Sequence, residues 1–371
     1  MPRRSAQPPQ PPEHLADRLR RLRHEMRDRK LSAVLATSLP DQFYLTGFDG
    51  EDGAALITPR AVHLITDGRF DQQADVQAPW ARKLVRKGPL EPAIARLAGR
   101  FRLARIGLQP DTLTLQQFRQ LAAALKTTRL APAPDLIHHL RMQKDPTEIQ
   151  AIRRAVAIAE RAFVKLRPSI RPGQTERQIA ARLEYLMRTL GADGPSFPTI
   201  VAVGPNASLP HARAGDQSAT SGSAILIDWG ARLGMYCSDL TRVLFVGRIP
   251  PRLGKLYQVV LDAQLKAIQA IKPHVAANRV DAVARRRIRA AGFGQNFRHG
   301  LGHGLGLQVH EQPRIAARSK TQLLPGMVFT VEPGIYLPGL GGVRIEDDVA
   351  VTPDGVQVLS TLTKDLQSMV L

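Results

Sequence analysis

Four acidic residues stand where apolar β-strand patterns leave little room for charge. Asp228 ends the run "AILID", Asp239 opens "SDLTRVLFVG", Glu332 lies within "MVFTVEPG" and Glu346 within "VRIEDDVAV". A carboxylate removed from water without a partner is costly. Four sharing one low-dielectric region cannot all ionise unless cations join them. The eleven residues from Asp228 to Asp239 fit a hairpin that brings those two acids together. Taken singly, each acid reads better as an ordinary strand-end or hairpin residue. Taken together, beside a cluster of histidines, they point to a metal.

Two divalent ions would balance four converging carboxylates. With one imidazole added, the donor set is rich in oxygen and suits manganese, cobalt, iron or zinc better than a thiolate-type structural zinc site. Such a pair could hold a hydroxide and polarise a carbonyl. A weak internal echo supports a shared centre. "GSAILIDWG" and "GMVFTVEPG" have the same Gly-x5-acid-x-Gly form, and each is followed by a further acid, Asp239 or Glu346. Two duplicated half-domains giving two carboxylates each would produce this pattern, as would two unrelated strands ending in turns.

The histidines lie in "RHGLGHGLGLQVHE", residues 298–311. A dinucleotide loop needs glycine at positions one, three and six. Counting from Gly300 the sixth residue is Leu305, and from Gly302 it is Leu307. A Walker Gly-Lys-Ser/Thr is missing as well, so a phosphate loop is excluded. The glycines are instead expected to let the backbone approach a crowded centre.

Between Glu13 and Leu130, short apolar runs ("LSAVLAT", "GAALITP", "AVHLITD", "ARIGL") alternate with helical patterns near 91–100 and 113–126. This predicts a three-layer α/β domain over 13–135, with "APAPD" (residues 131–135) as its linker. A second domain, 136–371, opens with Asp145 as N-cap, Pro146 in the first turn and Glu148 completing a capping box. Helices over 146–166 and 174–190, strands at "FPTIVAVG", "SAILIDWG" and "SDLTRVLFVG", a helical stretch over 252–291 and a strand-rich end make it α+β.

The chain carries 52 Lys+Arg against 32 Asp+Glu. The basic stretches Arg18–Lys30 and Arg279–Gly292 keep apolar residues at helical spacing, Leu15, Leu19, Leu22 and Met26 in the first. They read as solvated faces of amphipathic helices rather than a nucleic-acid contact. No apolar run suffices to span a bilayer. The arginine pair in "MPRRSAQPPQPPEH" lacks the apolar segment of an export signal, leaving a proline-rich tail, residues 1–12, expected to be disordered. A single cysteine, Cys237, fits a reducing cytoplasm.

The motifs "IDWGA", "YCSDLTR", "HGLGHGLGLQVHE", "TVEPGIY" and "GGVRIEDD" together resemble the pita-bread metallopeptidases, which include methionine aminopeptidase, aminopeptidase P and prolidase. "YLTGFDG" and "LITDGRF" resemble the N-terminal domain that aminopeptidase P and prolidase carry and methionine aminopeptidases lack. The resemblance implies a creatinase/prolidase-type α/β domain followed by a pita-bread catalytic domain. It implies Asp228, Asp239, His303, Glu332 and Glu346 as ligands of two divalent ions, manganese first, with cobalt, zinc or iron as alternatives. In the family a metal-bound hydroxide attacks the scissile carbonyl, and Glu332 would carry its proton. His211 would stand near the substrate and leaving group, His310 would stabilise the tetrahedral intermediate, and His299 would line the pocket. Arg344 and Tyr336 would support the two glutamates. Cys237 would only pack, and Trp229 departs from the Phe or Leu usual at its place.

The leading expectation is an exopeptidase that removes the N-terminal residue from Xaa-Pro-peptides, bonds that need a specialist because proline's tertiary amide and fixed ring suit few protease clefts. The closest alternative is an Xaa-Pro dipeptidase. An alternative of another class is a non-catalytic pita-bread protein that binds protein or nucleic acid through its basic surface. The resemblance also implies a homodimer or larger homo-oligomer acting on proline-containing peptides, with no membrane partner.

Overall fold

The computed structural model describes residues 9–371, so most of the expected tail lies outside the described residues. Two compact units divide the chain, the first ending at Arg141 and the second spanning Met142–Leu371.

The first unit is built on a six-stranded sheet. Its strands lie in the order Arg82–Arg86, Val62–Asp67, Gly53–Ile57, Ala33–Ala36, Arg105–Leu108 and Arg129–Pro132. The strand Gly53–Ile57 runs antiparallel to both neighbours, and the remaining pairs are parallel. Leu35, Leu56, Ile65 and Ile106 of the sheet pack with Ile94, Leu97 and Leu121 of the helices Leu90–Arg100 and Leu115–Ala124. The helix Glu13–Asp28 buries Leu15, Leu19, Leu22 and Met26, the stripe visible in its sequence. "APAPD" is not a linker. Ala131 and Pro132 end an edge strand paired in parallel with Gly107 and Leu108, a position where proline's missing N–H is tolerated.

The second unit opens with the helix Pro146–Leu166. Asp145 caps it by accepting from Thr147 and Glu148 amides, and Glu148 completes the capping box. The expected helix over 252–291 is in fact two, Pro251–Gln269 and Ala277–Ala290, with Pro273 in the break. On the second of these, Val280, Ala284 and Ile288 are buried while Arg279, Arg286 and Arg289 face solvent. Arg285 pairs with Asp281, and Arg287 with Asp262.

Two sheets matter for the site. One joins Ile200–Val203, Ala224–Trp229 and Leu240–Phe245, all antiparallel. The other runs Glu311–Ile315, Gly302–Gly304, Val328–Val331, Asp347–Thr352, Gly355–Val358. An antiparallel bridge between Thr241 and Glu346 connects them. Trp229 is fully buried, stacks on Phe163 at 4.5 Å and donates to Ala159 O at 3.0 Å, which gives the larger ring a built place. Thus an α/β unit precedes an α+β unit. Among the described residues no helix is long and apolar enough to cross a membrane.

Candidate metal centre

Strand alternation gathers the acids. In the hairpin, Thr241 pairs with Asp228 and Leu240 with Trp229. Side chains two residues apart share a face, so Asp228, Asp239 and Thr241 lie on the same side. In the second sheet Val331 pairs with Asp347, and the same register carried one residue further sets Glu332 against Glu346. The Glu346 amide then donates to Thr241 O at 3.2 Å, bringing both pairs of acids to one place.

Donor atoms of Asp239, His303 and Glu346 all lie within 4.8 Å of one another. His303 Nε2 is 3.6 Å from Asp239 Oδ2 and 3.4 Å from Glu332 Oε1. His303 Nδ1 lies 3.2 Å from Gly304 O, which only accepts, so Nδ1 carries the proton. The Nε2 lone pair therefore faces the carboxylates, the arrangement a metal-binding imidazole needs. Gly302 and Gly304 make this possible. A Cβ on Gly302 would meet Thr330 O at 1.9 Å, and one on Gly304 would meet Gln312 O at 2.1 Å.

Arg344 ties Asp228 into the cluster. Its Nη2 donates to Asp228 Oδ2 and its Nε to Thr241 Oγ1 at 3.1 Å, while Nη1 reaches the Tyr336 hydroxyl at 2.8 Å. Tyr336 in turn lies 2.9 Å from His299 Nε2. The His310 ring sits 4.3 Å from that of His303. His211 is exposed. Burial lowers both His299 and His310, with Arg344 next for the first and His211 next for the second.

The acids strain against their own charge. Burial first, then Glu346 and Asp228, push Asp239 far above the usual carboxylate range. Burial, Glu332 and Asp228 do the same to Glu346. Glu332 is pushed up to about 8 by burial, against the pull of Arg344. Burial lowers His303 to about 4, with His310 adding to the effect, so the imidazole is neutral and able to ligate. Asp228 Oδ1 is buried without a hydrogen-bond partner among the described residues. An oxygen-rich acid cluster, one neutral imidazole and an unpaired buried oxygen fit divalent cations in both charge and donor type.

Three supporting residues escape a reading of the sequence. Thr241 Oγ1 donates to Glu346 Oε2 at 2.5 Å, Thr330 Oγ1 lies 3.3 Å from Glu332 Oε1, and Asp348 Oδ2 accepts from the Asp239 amide at 3.0 Å. The only signal was a polar residue inside each strand run. Cys237 is buried and its thiol is pushed up to about 11 by burial, which suits packing rather than nucleophilic attack.

Residues 18–143 match the creatinase/prolidase N-terminal domain. Over 232 residues the chain is 44% identical to an Xaa-Pro dipeptidase from Pyrococcus furiosus, covering 62% of this chain and 67% of that one. The fold superposes on an Xaa-Pro dipeptidase from Bacillus anthracis with a TM-score of 0.93 at 36% identity, covering 96% of this chain and 100% of the other. An X-Pro aminopeptidase from Thermotoga maritima gives 0.88 at 37% identity, covering 94% and 100%. Residues 150–353, which hold every acid and histidine of the centre, match metallopeptidase family M24, and the chain belongs to that family.

Proposed function

We propose that this protein is a metal-dependent Xaa-Pro dipeptidase. The observation that carries the reading is the convergence of Asp239, His303, Glu332 and Glu346, with Asp228 joined through Arg344. The dipeptidase relatives favour this over the aminopeptidase expected from the sequence. Aminopeptidase action is the second reading, supported by the Thermotoga maritima structure.

Asp228, Asp239, His303, Glu332 and Glu346 would hold two divalent ions, manganese first. Bound there, the ions would supply Lewis acidity and an activated water. Glu332 would take a proton from that water and deliver it to the leaving amine. Burial and the neighbouring His211 lower His310, so it is neutral at physiological pH and placed beside His303 to donate to the developing oxyanion. His211 would contact substrate near the leaving group. His299 would line the pocket, oriented by Tyr336 and Arg344.

The complete donor set supports an enzyme over a basic binding module. A cytoplasmic location rests on the single cysteine, and a homodimer on family resemblance. Light scattering at twice the 40.7 kDa of one chain would support the dimer. Metal-loaded protein incubated with Gly-Pro and with Arg-Pro-Pro tests the substrate class. Cleavage of the dipeptide is expected, and release of arginine from the tripeptide with Gly-Pro left intact would replace the dipeptidase reading with the aminopeptidase one.

A further inference from the structure

Glu176 is a fully buried carboxylate remote in sequence from every acid of the centre. It occupies the first turn of the helix Glu176–Thr189, yet that helix is capped by Thr175 and Gln178, whose side chains complete a capping box. The Glu176 side chain is therefore free for another task. Its Oε1 accepts from the Val203 amide at 2.7 Å and from Asn206 Nδ2 at 2.9 Å. Its Oε2 accepts from the Gly215 amide at 2.9 Å.

Val203 and Asn206 stand at one end of a loop and Gly215 at the other, and His211 lies between them. One carboxylate thus closes the base of the loop. Backbone bonds reinforce the tie: the Glu176 amide donates to Gln217 O and the Arg177 amide to Gly215 O, both at 3.0 Å. Further along, Pro210 O accepts from Arg344 Nη1 at 3.3 Å, and a Cβ on Gly342 would meet Ala207 O at 2.1 Å. His211, next to Pro210, is exposed, with Leu209 and Arg213 beside it. Charge-assisted bonds to a buried carboxylate are among the stronger ones, and removing an acceptor leaves buried donors unpaired.

We propose that Glu176 is a positioning residue for His211, its carboxylate tying Val203, Asn206 and Gly215 so that the loop presents the imidazole in one place. The role given to His211 rests on the peptidase reading, whereas the tie itself does not. Glutamine at this position keeps one acceptor but turns an amide N–H toward a backbone N–H, so one end of the loop is released.

The test uses full-length, metal-loaded protein carrying E176Q, H211A or both. E176Q is expected to lower kcat on Gly-Pro about 10-fold, because small misplacements of a reacting contact are expensive. In the H211A background it should lower kcat no further. Hydrogen exchange across residues 204–215 should quicken in E176Q, whether or not the protein cleaves Gly-Pro. The proposal is overturned if exchange there is unchanged, or if E176Q costs the same factor with and without His211. A wild-type protein that cleaves no Xaa-Pro substrate would end the peptidase reading, and exchange alone would then decide the tie. E176D keeps the charge but reaches one methylene less. It replaces E176Q if that variant fails to fold, and is judged by the same readouts.

Discussion

His299 Nε2 and the Tyr336 hydroxyl lie 2.9 Å apart, and the direction of this bond is set by what each atom meets on its other side. His299 Nδ1 is 2.8 Å from Gly300 O, an acceptor, so Nδ1 carries the proton and Nε2 must accept. The hydroxyl donates to Nε2 while accepting from Arg344 Nη1. Burial and then Arg344 lower His299 to about 4, which keeps the ring neutral at physiological pH. An oriented chain runs from Asp228 through Arg344 and Tyr336 to His299. Tyr336→Phe should cut kcat/KM about 10-fold with metal content retained, since supporting bonds of this kind have effects of that order. Steady-state kinetics paired with metal analysis checks it, and an unchanged rate would remove the chain from the account.

Thr241 has a narrower task. Its hydroxyl donates to Glu346 Oε2 and accepts from Arg344 Nε. Thr241→Val keeps the shape and deletes both bonds, leaving two buried groups unpaired at about 1–3 kcal/mol each. Metal affinity should fall about 10- to 100-fold. Competition with a fluorescent chelator measures this, and an affinity equal to wild type would show that Glu346 needs no such support.

The raised carboxylates set a pH dependence. Folded Glu332 titrates near 8 against an ordinary 4.5, and Asp239 and Glu346 are shifted in the same direction. Between those limits the folded metal-free protein binds more protons than the unfolded chain. Stability from these groups is therefore complete below about pH 4.5 and is lost as pH rises through about 8. Metal must displace the same protons, so its stabilising effect should grow over this interval. Thermal melts from pH 5 to 8, with and without excess Mn(II), should diverge as pH rises. Parallel curves would argue against a shared buried acid cluster.

Two substitutions separate holding metal from acting on substrate. Asp239→Asn removes a donor beside His303 and should lower bound metal and abolish activity. His310→Ala should reduce kcat on the order of 100-fold, the scale seen for lost oxyanion contacts, with metal content intact. Full activity in the first, or metal loss in the second, would mean the roles are misassigned.

What could be read in the sequence was what local chemistry decides. The cap at Asp145, Pro146 and Glu148 involves neighbours three residues apart, and the hairpin from Asp228 to Asp239 closes over a short turn. Thr241 and Asp348 look like ordinary strand residues because their partners lie 105 and 109 residues away. "APAPD" resembled a linker for the same reason, since only a distant strand reveals Ala131 and Pro132 as part of a sheet edge. Dipeptide and longer substrates would meet the same five proposed ligands, so those residues alone could not rank the two activities.

The central claim is that five side chains form a metal centre that hydrolyses Xaa-Pro bonds. Titrating Mn(II) into metal-stripped protein, while following Gly-Pro hydrolysis and bound metal together, tests it most directly. The account predicts activity that rises with occupancy and levels off at two ions per chain. Protein that retains no stoichiometric metal and leaves Gly-Pro uncleaved at saturating Mn(II) would contradict it.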